Sequence, residues 1–536
     1  MSGQKWSTNH VQYDAIVIGS GFGGSMAAQV LIDAGSSVLM LERGDWVARG
    51  AHNWSPDAVG PLTPHYSTES PYLVTVPGQR ESTTGAFHCV GGPSVFYGGV
   101  AFRFRAEDFE HDPEIAGTSG ARWPWTYGEL EPYYAEAERI LGVAGESGVD
   151  PTEPGRSTAF PQSPAALAPI SRRIEQAARE LGYHPFRLPL AINYTSTPER
   201  APCLGCGNCA GFACAISAKN DLATVIVRPL LAKGLHLRTN AVVTRLVASR
   251  GRVTTVEAVD RDTGHVTAFH GRTVVLAAGA IATPHLLLAS RLHRLNPGGH
   301  VVGRYLMRHY NEIVFGIFPR RPNPGGGFHK QLGLHDFYFG DPGGRGPRGK
   351  LGGIQQLATP PVSLVRAELP RLLGAFCARW VNNLTGLQVI AEDQPQYDNR
   401  VLLDGTGVDQ YGLPRTRLSH RYSDRDRAAG SALAGRARAI LRHAGAWAFY
   451  RHRIGTFSHA VGTVRMGLDP RTSALDADCR FRGLENLYVV DGSVMPTSAG
   501  VNPSLTIAAI SLRAASRIVA QTSSTAELGP YVASTR

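Results

Sequence analysis

The residues whose types and spacing could do chemistry gather near the end of the 536-residue chain. His459-Ala-Val-Gly462-Thr463-Val-Arg465-Met466-Gly467 comes first. An apolar strand from Leu487 follows, ending in Asp491-Gly492-Ser493, and then Gly500-Val-Asn502-Pro503-Ser504. Asn502 fits a helix N-cap and Pro503 the first helical position, with an apolar pattern running to about Ala520. A helix N-terminus here would aim partial positive charge at an anion. A reduced flavin is such an anion, with charge near N1 and the C2 carbonyl. A nicotinamide needs no such donor, so the pattern favours FAD over NAD.

Such a site needs elements to hold the other half of the cofactor. Ala15 to Ile18 reads as a short buried strand, Gly19, Gly21 and Gly24 give G-x-G-x-x-G, and a helical pattern from Met26 is stopped by Gly35. A second strand from Ser37 ends at Glu42, placed to accept hydrogen bonds from both ribose hydroxyls of an adenosine and to repel a 2′-phosphate. We assign Gly19, Ser20, Gly21, Gly23, Gly24, Glu42 and Arg43 to the dinucleotide. A second glycine cluster, Gly91-Gly92-Pro-Ser94-Val-Phe-Tyr-Gly98-Gly99, lets backbone touch a flat or charged ligand. Thr273 to Gly279 reads as another buried strand ending in a glycine turn, with Thr283-Pro284 opening the next helix. We add Gly92, Ser94, Gly98, Gly99, Val243, Ala278, Gly279, Asp491, Gly492, Pro503 and Ser504 as cofactor-binding residues.

Between these pieces the chain changes character. Residues 44 to 85 are proline-rich without a clear period and read as a loop covering something. Helices are expected over Tyr127–Leu141, Ser171–Leu181 and Arg425–Arg442, the last with a solvated basic face. Leu235–Arg238, Ala241–Ala248 and Arg252–Asp260 read as a meander, and residues 305 to 455 as an antiparallel sheet. Cys203, Cys206, Cys209 and Cys214 have a spacing that resembles an iron–sulfur run and would also suit zinc. The Phe-Ala and Gly-Asn fillers fit a ferredoxin turn poorly, so we expect no metal and a structural loop of small residues in a reducing compartment, with a disulfide as the alternative.

Composition is globular, 43% hydrophobic and 18% charged, and the length suggests two domains. The formal charge of +11 comes from scattered arginines rather than a basic run, which argues against a nucleic-acid partner. No stretch reads as a secretory signal or a membrane span, so a cytoplasmic location is the default expectation.

Taken in order, these motifs resemble the glucose–methanol–choline (GMC) oxidoreductases, which bind FAD. The matching stretches are Gly19–Glu42, Gly91–Gly99, Ala277–Ala280 with Pro284, His459–Gly467, and Asp491–Ser493 with Pro496, Asn502 and Pro503. The resemblance implies a Rossmann-like FAD-binding domain (residues 11–110, 215–304 and 455–525). Into it a substrate-binding domain and cap (111–214 and 305–454), built on an antiparallel sheet, would be inserted, an α/β plus α+β fold. It implies alcohol oxidation, with His459 taking the hydroxyl proton, Asn502 fixing the substrate oxygen and hydride passing to flavin N5; a histidine near its pKa suits that work. Some relatives bind flavin covalently through a histidine in the glycine loop. Phe96-Tyr97 stands there, so non-covalent FAD is expected, with His88 the one nearby alternative. The cysteine loop and Phe328–Phe339 resemble bacterial sugar and glycoside oxidoreductases, similar to pyranose oxidases, that often act at C3. Asn502-Pro503 and Tyr97-Gly-Gly-Val also resemble cholesterol oxidases. A sugar or glycoside is the favoured substrate, with oxygen or another electron acceptor. A sterol or other alcohol, a non-redox flavoprotein lyase and a non-catalytic flavin binder are the alternatives. Gln355, Gln356, Trp380 and Asn382 are candidate sugar contacts by composition.

Overall fold

A computed structural model describes residues 12–341, 343, 344 and 346–527. The chain opens with β1 (Gln12–Ile18), α1 (Phe22–Asp33) and β2 (Val38–Leu41), then β3 (Tyr66–Thr75) and β4 (Ser82–Phe87). Helices α2 (Tyr127–Leu141) and α3 (Pro169–Glu180) precede β5 (Phe186–Arg187). Next come β6 (His236–Arg238), β7 (Ala241–Ser249), β8 (Arg252–Asp260), β9 (Val266–Leu276) and α4 (Gly279–Ala289). The middle carries β10 (Tyr310–Ile317), β11 (Leu332–Leu334), β12 (Gly352–Leu357), β13 (Leu384–Ala391), β14 (Arg400–Val408) and β15 (Pro414–Ser419). It closes with α5 (Asp424–His443), β16 (Ala448–Arg453), β17 (Leu487–Val489) and α6 (Ser504–Glu527).

The first sheet has β6, β2, β1, β9 and β17 in parallel order. Ala15 to Ile18 and Val38 to Leu41 are buried throughout, as strands covered on both faces must be. Strand β9 does two jobs: its start pairs antiparallel with β8, its end parallel with β1 and β17. The expected meander is therefore shifted by one strand. β6 joins the parallel sheet, and β7, β8 and β9 form the meander.

Helix α6 packs on α1 and α2. Leu130, Tyr134, Ala137 and Leu141 make one apolar stripe on α2 and enter the same core as β1 and α6. Residues 127–141, expected on the substrate side, thus belong to the core of the parallel sheet. The Tyr134 hydroxyl also hydrogen-bonds the Thr506 hydroxyl at 2.7 Å.

The second sheet is antiparallel, in the order β16-β10-β13-β12-β11-β5, and a separate core joins it to α3 and α5. β14 and β15 leave it and pair with β3 and β4 in a third sheet. The stretch 44–85 therefore holds a hairpin rather than loop alone. Strand β3 is half-buried with no clean alternation, and its partner Arg417–Ser419 lies far along the chain, so no local signal marks it. The basic face of α5 is not simply solvated. Arg438 and Arg442 lie over the Phe449 ring, and Arg436 pairs with Asp341 at 2.6 Å. The whole is a Rossmann-like α/β unit with an inserted antiparallel sheet.

Candidate active site

The cradle for a dinucleotide forms where β1 meets α1. Gly19 turns the chain at φ +98°, and a Cβ at Gly24 would collide with the Gly19 carbonyl oxygen, so helix and strand pack backbone to backbone. A Cβ at Gly23 would strike the Val490 carbonyl. Gly21 differs, because nothing lies within 4 Å of its Cβ position. It is also the N-cap of α1, with no capping side chain and no acid in the first turn. The first-turn N–H groups of α1 thus have no capping side chain, and an anionic pyrophosphate would fit there.

Ser20 donates to Glu42 Oε2 through its N–H (3.0 Å) and hydroxyl (2.6 Å), and Gly44 N–H donates to Oε1 at 2.8 Å. Glu42 is 7% exposed, and burial pushes its carboxyl up against these hydrogen bonds. Gly91 N–H donates to the Ser20 hydroxyl at 2.9 Å, tying the second glycine loop to the first, with Gly92 close above Gly21. Ser94 is spent inside its loop, donating to Gly91 O and accepting from Leu222 N–H. The Gly99 carbonyl accepts from Ala191 N–H at 2.7 Å. Arg43 lies over the Tyr411 ring with its Nε buried and unpartnered, and Val243 is part-buried on β7.

Asp491 joins the C-terminal strand to α4. Its Oδ2 accepts from Gly279 N–H (2.9 Å) and the Thr283 hydroxyl (2.5 Å), and its Oδ1 from Ser493 N–H (2.8 Å). Ala278 N–H donates to Thr283 Oγ1, and the Gly492 carbonyl accepts from Gly462 N–H. Helix α4 starts at Gly279, before the expected Thr283, so Pro284 lies inside it. Proline has no N–H for the carbonyl four residues back, Ala280. The Thr463 hydroxyl donates to that carbonyl instead, at 2.6 Å.

The reactive cluster lies at the start of α6. The helix begins at Ser504, and the carbonyl accepting its first bond is that of Pro503. Asn502 therefore does not cap it. Asn502 Oδ1 accepts from Gln355 Nε2 at 2.6 Å, and Asn502 Nδ2 lies 3.4 Å from His459 Nε2. Ser504 Oγ donates to Val100 O in the glycine loop. Behind His459, His309 places its Nδ1 3.1 Å from His459 Nδ1 and its Nε2 2.9 Å from the Ser498 carbonyl oxygen.

That geometry assigns the protons. A carbonyl only accepts, so His309 Nε2 carries hydrogen. Neutral His309 then accepts at Nδ1, so His459 Nδ1 donates. His459 Nε2 is left as a bare lone pair facing the Asn502 amide N–H. Along the same chain, Gln355 Oε1 is a buried acceptor without a partner. Burial, reinforced by His309 and by the Lys330 charge, lowers the pKa of His459 to about 3. The expectation of a histidine titrating near neutrality is thus not met, because this imidazole has no facing carboxylate in hydrogen-bond contact.

His309 holds a left-handed backbone (φ +60°), rare outside glycine. The Asp393 carboxylate holds it there by accepting from the Arg308 (2.8 Å) and His309 (3.0 Å) N–H groups. Sequence reading missed His309; its only trace is a histidine directly ahead of an apolar strand. Of the four sugar-contact candidates, Gln355 alone reaches Asn502. Gln356 accepts from Ser171 Oγ on the other face of its strand, Trp380 is 45% exposed, and Asn382 is exposed.

The cysteine loop is held by Lys219, whose Nζ donates to the carbonyls of Tyr97, Cys209 and Phe212. Its four thiols are unbridged, and burial raises Cys209 to about 11. Among the described residues no group of three or more metal-binding side chains stands close enough to hold an ion, and no helix is long and apolar enough to cross a membrane.

Comparison with known proteins agrees with this architecture. Two family models described as GMC oxidoreductase match residues 13–311 and 395–511. The 6'''-hydroxyparomomycin C oxidase of Streptomyces lividus is 33% identical, over 94% of this chain and 90% of its own. A C-glycoside 3-oxidase of Microbacterium trichothecenolyticum is 26% identical, over 95% and 96%. The crystal structure of a pyridoxine 4-oxidase from Mesorbium loti superposes with a TM-score of 0.66 at 20% identity, covering 94% of this chain and 98% of that one. This chain belongs to the GMC oxidoreductases, the FAD-binding family of enzymes that oxidise alcohol groups.

Proposed function

We propose that this chain oxidises a secondary ring hydroxyl of a sugar or glycoside, at C3, to the keto-sugar. The observation that carries the reading is the pair His459 Nε2 and Asn502 Nδ2, a lone pair and an N–H 3.4 Å apart, able to grip one carbinol oxygen between them. The hydroxyl donates its proton to His459 Nε2 while its oxygen accepts from Asn502. His309 supports the positive charge that develops on His459 by accepting from its Nδ1–H. Gln355 holds the Asn502 amide and offers Oε1 to a neighbouring hydroxyl, which suits a polyol. FAD, when bound, supplies the hydride acceptor.

FAD would be held by Gly19, Ser20, Gly21, Gly23, Gly24, Glu42 and Arg43 at the ADP end. Gly92, Ser94, Gly98, Gly99, Val243, Ala278, Gly279, Asp491, Gly492, Pro503 and Ser504 would complete the site. Binding is non-covalent in this reading, because Phe96 is stacked on Phe87 and Tyr97 donates its hydroxyl to Asn220 O where a linking histidine would stand. Acid precipitation tests this by releasing the yellow colour; colour left on the pellet contradicts it. Unbridged thiols fit a reducing compartment, the cytoplasm.

Anaerobic mixing of the flavin-loaded protein with a panel of glycosides tests the whole reading. Bleaching by a ring hydroxyl substrate, with a keto-sugar as product, is the expected result. No bleaching by any sugar overturns it.

A further inference from the structure

Lys330 is a buried cation that nothing in the chemistry above uses. It is 6% exposed, and among the described residues neither a hydrogen bond nor a carboxylate acts on its ammonium. Lysine is rarely buried unless paired, because desolvating an ammonium is costly. Burial lowers its pKa to about 8, and the ionisable groups facing it are Cys209 and the cation Lys219. At neutral pH it is still largely charged.

One contact of the ammonium and two links made by its neighbours tie that charge to the cluster of His459 and Asn502. A Cβ at Gly98 would sit 2.5 Å from Lys330 Nζ, so the ammonium lies against the glycine loop itself. Two residues on, the Val100 carbonyl of this loop accepts from Ser504, beside Asn502. From its other side, Lys330 runs into β11, whose Gly333 pairs with Gln355, the residue bonded to Asn502. Its charge is also felt at His459.

We propose that Lys330 sets the charge selectivity of this site, admitting neutral and anionic alcohols and disfavouring cationic aminosugars. The proposal rests on the sugar-alcohol reading above and narrows its substrate class. The formal net charge of +11 acts in the same direction at longer range.

The test uses the flavin-loaded protein and two ligands: the neutral methyl glycoside that bleaches it best, and the same glycoside with an amine replacing one hydroxyl other than the reacting one. Affinities are read by calorimetry on the anaerobically reduced flavoprotein, which can oxidise neither ligand. Wild type should bind the amine roughly 10- to 50-fold more weakly, the penalty for like charges about 7–10 Å apart at an effective dielectric near 20. Lys330→Met should bring the two affinities within about twofold of each other, and Lys330→Arg should keep them apart. Equal affinities in wild type, or an unchanged ratio in Lys330→Met, overturn the proposal. Should Lys330→Met fail to hold FAD, Lys330→Gln, which removes the charge and keeps a polar end, takes its place with the same two outcomes. Absence of bleaching by every sugar is a different failure, that of the alcohol reading itself.

Discussion

His309 and His459 meet through their δ nitrogens, 3.1 Å apart, with a single proton between them. The Ser498 carbonyl, 2.9 Å from the far side of His309, dictates which ring owns it. A backbone oxygen thus fixes which nitrogen of His459 is bare, two side chains away.

Removing His459 with alanine should lower the rate of flavin reduction by about 10²–10⁴-fold with FAD retained. His309→Leu leaves the base in place but frees its tautomer. It should lower kcat by about tenfold or more with little change in KM, and His309→Gln, which can still accept from Nδ1–H, should recover part of it. Stopped-flow reduction separates the two: an unchanged kcat in His309→Leu removes it from the mechanism.

Acid should act on stability before it acts on the base. The pKa of His459 lies near 3, so the lone pair at Nε2 is present from pH 8 down past pH 5, and the reduction rate should be flat across that range. Unfolded histidine titrates near 6.5. Burial also lowers His88 to about 3, and shifts His309, His335 and His420 downward. Between the unfolded and folded values the unfolded chain binds more protons, so stability is full above about pH 6.5 and falls as pH drops below it. The limiting slope is about 1.4 kcal/mol per pH unit for each such histidine. Melting curves from pH 7 to 5 should show Tm falling while the rate holds; a rate that halves near pH 6.5 would contradict the assignment.

Two glycines that the G-x-G-x-x-G motif treats alike should separate. Gly21→Ala meets open space at a permissive φ of −70°. Its apo-protein Tm should hold within a few degrees while FAD affinity drops, because the methyl occupies the pyrophosphate seat. Gly24→Ala runs into the Gly19 carbonyl and should cost about 1–3 kcal/mol of stability. Calorimetry of the apo-protein with FAD titration reads both, and equal Tm losses would contradict the distinction.

Thr463→Val keeps shape and removes the hydroxyl that satisfies Ala280 O beneath Pro284. The orphaned carbonyl should cost about 1–3 kcal/mol, seen as a lower denaturation midpoint. Val at that site with no loss would mean water takes the place of the hydroxyl.

The parts of the site with local grammar were legible in sequence. Gly19 to Glu42 is one strand–turn–helix–strand unit whose geometry follows from neighbours along the chain, and His459 and Asn502 stand in motifs that resemble a family's. What was not legible depends on distant pairing. Strand β3 gains its meaning from Arg417–Ser419, and the stripe on α2 from α6. His309 matters only because β10 brings it behind His459. Asn502 looked like a cap because the sequence shows its position ahead of a helix and not Gln355, which claims its side chain first.

Val490 and Ser511 complete the cradle that the Gly19–Glu42 unit begins. The walls of the N-terminal cradle include the Val490 carbonyl against Gly23, and Ser511 Oγ donating to Gly23 O at 2.5 Å. The nucleotide motif precedes these partners by more than 460 residues, so local folding alone does not finish its walls. The cradle is therefore whole only once segments 488 residues apart in the chain have docked.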